Sequence, residues 1–69
     1  MQMHPVVSSN LVAIGYDIET HILRIRFHSG LYDYYDVPQV VFEELMNAPS
    51  KGSYHAAHIK NTYRYDKIG

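Results

Sequence analysis

Between His21 and His28 the side chains alternate, with Leu23, Ile25 and Phe27 apolar and Arg24, Arg26 and His28 polar. A period of two turns successive side chains to opposite faces of an extended chain, so the segment predicts a strand with one face on a core and one in water. Upstream, Asn10 to Tyr16 reads as a first strand, ending at Gly15-Tyr16-Asp17. Asp17-Ile18-Glu19-Thr20 between them is too short for a crossover helix, and the two strands should pair antiparallel. Ser29-Gly30 then supplies a turn into Leu31 to Val37, where Tyr32, Tyr34 and Tyr35, three of the seven tyrosines, fall within four positions.

Register decides what those tyrosines do. A two-residue loop at Ser29-Gly30 sets Phe27 opposite Tyr32, Ile25 opposite Tyr34, Arg26 opposite Asp33 and Arg24 opposite Tyr35. A three-residue loop at His28-Ser29-Gly30 shifts the partners by one and brings Asp33 opposite Ile25 on the buried side. An inward, unpaired carboxylate is costly, which favours the first register. Tyr32 and Tyr34 then pack their rings on the core with their hydroxyls reaching water or a carbonyl, and Tyr35 is exposed beside Arg24 and Arg26.

Pro38 suits the first position of a helix, and Val41, Phe42, Leu45 and Met46 form an apolar stripe along it with Glu43, Glu44 and Asn47 turned away. The helix should run to about Ala48, stopped by Pro49. Ser53 is placed to cap a second, shorter helix from Tyr54 to about Lys60, and Thr62 to Tyr65 is compatible with extended backbone, as a loop or an extra edge strand. The expected organisation is an N-terminal arm, residues 1–8, and one domain, residues 9–69. Its class is α+β: a three-stranded antiparallel β-meander followed by two helices packed on one face, β-β-β-α-α. Phe42 and Leu45 buried on Leu23, Ile25 and Phe27 should supply most of the driving force.

A chain of 69 residues without cysteine has neither disulfides nor thiolate ligands to staple a small core, which leaves self-association open. No apolar run approaches the roughly 18 residues of a membrane span, and Met1-Gln2-Met3-His4-Pro5 lacks the basic start and apolar core of a signal peptide, so a cytoplasmic protein is expected. The net charge of −1 gives no global field to attract nucleic acid. Its distribution is uneven: Arg24 and Arg26 are outnumbered by carboxylates before residue 51, whereas Lys51, Lys60, Arg64 and Lys67 meet only Asp66 after it.

Candidate chemistry is sparse. His55 and His58, three apart on the short helix, are close enough to share a metal, but two ligands are not a site, and His58 falls between Tyr54 and Ile59 on the apolar side, where packing is the ordinary role. Ser50-Lys51-Gly52-Ser53 at a helix entrance is suited to an anion, against the plainer reading of a solvated turn with a capping serine. Lys51, Lys60, Arg64 and Lys67 together with Tyr35, Tyr63 and Tyr65 combine phosphate-contacting charge with rings on which unpaired bases stack.

From Ser9 onward the succession Ala13-Ile14-Gly15-Tyr16-Asp17, Leu23 through Phe27, Gly30, Tyr32-x-Tyr34, Val37-Pro38, Ser50-Lys51-Gly52, His58-Ile59 and Tyr63-x-Tyr65 resembles the KTSC domain family. That family is a small module found alone in bacterial proteins and at the C-terminus of some lysyl-tRNA synthetases. Where its pattern carries an aromatic and an asparagine after the residue matching Tyr54, this chain has His55 and Ala56, and any role of that asparagine is lost. The family has no established activity; the resemblance implies a binding role with RNA as the leading partner class.

The resulting expectation is a non-enzymatic small binding module without a cofactor, with RNA or single-stranded nucleic acid as its partner and Lys51, Lys60, Arg64, Lys67, Tyr35 and Tyr63 as the contact residues. One alternative is a protein-interaction or homodimerisation module joined through an exposed sheet edge or face. The other is a small metal site or hydrolase built on His55 and His58.

Overall fold

Five strands form one antiparallel sheet in the computed structural model, which describes every residue from Met1 to Gly69. They are β1 (Met3–Pro5), β2 (Leu11–Asp17), β3 (Ile22–Phe27), β4 (Gly30–Tyr34) and β5 (Tyr65–Lys67), in the order β1-β2-β3-β4-β5. Between β4 and β5 lie α1 (Gln39–Asn47) and α2 (Lys51–Tyr54), the latter continuing as a π-helical turn, His55–Ile59. The α+β class holds, with both helices on one face of the sheet. The expected three-strand meander is its centre, and each end of the chain adds a three-residue edge strand. Residues 1–8 are therefore more than an arm, because Met3, His4 and Pro5 pair with Gly15, Ile14 and Ala13.

The turn into β3 is built by Asp17, whose carboxylate accepts from the Glu19 and Thr20 amides at 2.9 and 3.4 Å. His21 completes it at φ 59, a left-handed conformation that histidine tolerates better than most residues. The next hairpin differs from expectation. Its two-residue loop is His28-Ser29, and the partners are Leu23 with Tyr34, Arg24 with Asp33, Ile25 with Tyr32 and Phe27 with Gly30. The offset from the expected register is two residues, which changes every partner and leaves every side chain on its expected face. This register sets the Arg24 guanidinium on Asp33 through two bonds of 2.7 and 2.9 Å, so the buried carboxylate, 5% exposed, is paired. Gly30 makes the turn possible, since its φ of 150° is strained for other residues and an added Cβ would lie 2.6 Å from Lys67 Cε and 2.7 Å from the Gly69 carbonyl oxygen.

The strand of tyrosines stops at Tyr34 rather than Val37. Asp36 adopts φ 56, turning the chain out of the sheet, and the Val37 amide then donates to the His21 carbonyl oxygen at 2.9 Å. Pro38 precedes α1 as an extended residue instead of opening its first turn. The cap of α2 is Ser50, not Ser53: Ser50 is extended, and its hydroxyl accepts from the Ser53 amide at 3.3 Å.

Leu11, Ile14, Leu23, Ile25, Tyr34, Val37, Leu45 and Ile59 form the core, and each large apolar side chain buried there contributes about 1.5–3 kcal/mol. Phe42 and Phe27, expected at its centre, are only partly buried against it. Phe42 instead stacks on Tyr16 with ring centroids 5.2 Å apart, and His4 lies beyond it at 6.4 Å. Thus α1 covers the β1-β2 side of the sheet face, and Leu45 and Ile59 close its middle.

Candidate functional site

The β3-β4-β5 side of the same face is less completely covered, because α1 sits over the other side and only the π-helical turn reaches toward it. Strand alternation places Phe27, Tyr32, Tyr34, Tyr65 and Lys67 on this face, with Tyr32 opposite Lys67 and Tyr34 opposite Tyr65. Phe27 meets the edge of Tyr32 at 5.4 Å and of His55 at 4.9 Å, while Tyr65 lies 6.0 Å from Tyr32 and 5.4 Å from Tyr34. The rings line a concavity of about 220 Å³ to which Ser29 and Lys60 also contribute. A second, of about 350 Å³, shares Phe27, Ser29, His55 and Lys60 with it and extends to Asn10 and His28. No carboxylate lines either one. Lys67, against Gly30 and opposite Tyr32, adds a second cation at the β5 edge.

His55 is the hinge of the groove. Its Nε2 and the Tyr34 hydroxyl are 2.8 Å apart, and whichever of them donates, Nδ1 stays outside that bond. Burial, and to a lesser degree the nearby Lys60, lower the affinity of His55 for a proton below the usual imidazole range. Burial pushes the Tyr34 phenol up to about 12, with the Tyr65 and Tyr32 hydroxyls adding to the shift. A neutral imidazole bonded to a neutral phenol is a positioning pair with no charged nucleophile or partnered acid in it, so the groove offers stacking surface and hydrogen bonds beside cations.

The expected contact residues divide among four places. Lys60 lines the groove and Lys67 borders it. Arg64 and Tyr35 belong to the opposite face, where the guanidinium lies 5.0 Å from the Tyr35 ring centroid and the Tyr35 hydroxyl donates to Asp66 at 3.0 Å. That bond to Asp66 chiefly raises the Tyr35 phenol; Arg64 and Asp66 are its direct partners, and of the two arginines expected beside it Arg24 is near enough to interact through charge. Lys51 is engaged in the α1-α2 junction, its Nζ donating to the Ala48 carbonyl oxygen at 3.1 Å. Tyr63 is partly buried against the core.

The packing role expected of His58 falls to His55. His55 packs and bonds, while His58 is exposed, its ring tilted against Tyr54 with centroids 4.6 Å apart. The π-helical turn is the reason, since its wider winding rotates the face that an α-helix would have presented. His55 faces the groove and His58 the opposite side of the helix beside Ala57, and no cluster of three metal-ligating side chains exists in the molecule. Sequence reasoning also missed Phe27 and Tyr32 as groove residues by assigning them wholly to packing. The alternation did place both on the helix-covered face, and only the extent of that cover was invisible.

The fold and its groove define a small α+β domain with an aromatic concavity. Residues 7–63 match the family model described as the KTSC domain. The chain belongs to the KTSC domain family. It is 39% identical to a KTSC domain protein of Yersinia pestis whose crystal structure it matches with a TM-score of 0.96, covering 99% of this chain and 97% of that one. A protein of Tsukamurella paurometabola is 43% identical over 63 residues, covering 90% of this chain and 94% of its relative. A lysine–tRNA ligase of Nostoc sp. is 43% identical over 61 residues, 87% of this chain and 11% of the ligase. The chain thus spans about a tenth of the length of the ligases it resembles.

Proposed function

We propose that this domain is a non-enzymatic binding module for single-stranded RNA, acting in the cytoplasm, and that the groove beside His55 is where the RNA lies. The observation that carries the reading is a set of partly exposed rings, Phe27, Tyr32 and Tyr65, bordered by Lys60 and Lys67 with no carboxylate among the lining residues. Unpaired bases stack on such rings at about 1–3 kcal/mol each, and the lysines are placed for the backbone that joins them. Support also comes from the relatives: chains named lysine–tRNA ligase contain a similar segment, and RNA is part of what that name describes. The global charge of −1 supplies no long-range attraction, so on this reading affinity depends on the local cations and rings of the groove.

The test is a fluorescence-anisotropy titration of a mixed-sequence single-stranded RNA at low ionic strength, repeated as salt is raised. Binding that weakens steeply with salt is the expected result. An RNA pool left unbound at low salt and high protein concentration removes nucleic acid as the partner.

A further inference from the structure

Two adjoining concavities of different chemistry make up the groove, and nothing in a general RNA-binding role requires that division. The first is walled by the rings of Phe27, Tyr32 and Tyr65. The second is bordered by the Asn10 amide, the His28 imidazole, the Ser29 hydroxyl and the Lys60 ammonium, side chains that can all donate hydrogen bonds. Phe27, Ser29, His55 and Lys60 border both, so a ligand that filled one would reach the other without a gap. Gly52 lies on the border of the polar half, and the nearest atom to a Cβ added there would be the Asn10 amide nitrogen at 3.6 Å.

Resting on the reading of this groove as a nucleic-acid site, we propose that its two halves are a base compartment and a phosphate compartment, and that the unit recognised is one unpaired nucleotide with its phosphate. The aromatic half accepts the flat, apolar faces of a base. The polar half suits a group that is anionic and rich in acceptors, since it presents donors, one fixed cation and no competing carboxylate. A phosphate meets that description, and a nucleotide joins it covalently to the flat ring that the adjoining half accepts. His55 stands between the halves, its ring packed on Phe27 at 4.9 Å and held by Tyr34, which keeps the passage between them at a set width.

The experiment is NMR titration of the whole chain with adenosine, adenosine monophosphate and inorganic phosphate, alongside the RNA pool. The monophosphate should shift the resonances of Phe27, Tyr32 and Tyr65 together with those of Asn10, His28 and Ser29, adenosine only the first set and phosphate only the second. Asn10→Asp brings a carboxylate into the polar half at nearly unchanged size, and it should weaken the monophosphate by about tenfold while leaving adenosine unchanged. Equal affinity for adenosine and its monophosphate, an Asn10→Asp variant that binds as the parent does, or no shift with any of the three probes overturns the division. RNA binding that persists alongside any of these results leaves the broader reading standing. The monophosphate bound across both halves with the RNA pool unbound supports the compartments and makes a free nucleotide, rather than RNA, their ligand.

Discussion

The Tyr34 hydroxyl and His55 Nε2, 2.8 Å apart, join β4 to the π-helical turn across the floor of the groove. Tyr34 is 3% exposed, so its ring belongs to the core while its oxygen belongs to the site. Stability and binding geometry therefore meet at one residue.

Tyr34→Ala should lower unfolding stability by about 3–5 kcal/mol, the range for losing a buried aromatic ring. Tyr34→Phe removes only the hydrogen bond and should cost about 1 kcal/mol. Tyr35→Ala should cost no more than about 1 kcal/mol, because its contacts with Arg64 and Asp66 lie at the surface. Urea denaturation of the three variants checks the ranking, and a Tyr35→Ala loss exceeding that of Tyr34→Ala would contradict it.

Arg24→Ala should destabilise by about 2 kcal/mol. The substitution leaves the Asp33 carboxylate buried without its two bonds, and Asp66 stands opposite it on β5. The Arg24 side chain is one-third exposed, which keeps the loss below that of a fully enclosed pair. In a double-mutant cycle, adding Asp33→Ala to Arg24→Ala should recover part of the loss; strictly additive losses would mean the pair is not coupled.

The face assignments of β3 and β4 were legible because alternation has a period of two, and that same period is blind to a shift of two residues. Phe27 opposite Tyr32 and Phe27 opposite Gly30 put identical side chains on the core, and only the Arg24–Asp33 bonds and the close approach of Lys67 to Gly30 separate them. The edge strands left little trace. Met3-His4-Pro5 and Tyr65-Asp66-Lys67 are too short to show a pattern, and each is held by its neighbour's backbone rather than by its own propensity. Charge singled out Lys60 in the sequence, but its place beside the rings was not legible, because a helical wheel assumes α-helical winding and the π-helical turn brings His55 to the groove instead of His58.

Stability should depend on pH through His55. In the folded chain its proton affinity lies below the usual 6.5, so under acid the unfolded chain takes up a proton that the folded chain resists. The contribution of His55 is full above about pH 6.5 and declines as pH falls below that value toward its lower folded pKa. His55→Gln should flatten this part of the curve, measured as urea midpoints at about pH 5 to pH 7.5; since the other histidines remain in both proteins, the difference isolates His55. An unchanged slope in the variant would mean that His55 is not the desolvated base.

The central claim, that RNA lies in the ring-lined groove and not elsewhere on the domain, is tested most directly by comparing single-stranded RNA affinity across three variants. Tyr32→Ala and Lys60→Glu alter the groove, whereas Arg64→Glu makes the same charge change as Lys60→Glu on the opposite face. With folding checked by circular dichroism, the account predicts losses of about tenfold or more for Tyr32→Ala and Lys60→Glu, and less than about threefold for Arg64→Glu. RNA affinity that falls with Arg64→Glu and is indifferent to Tyr32→Ala and Lys60→Glu would contradict it.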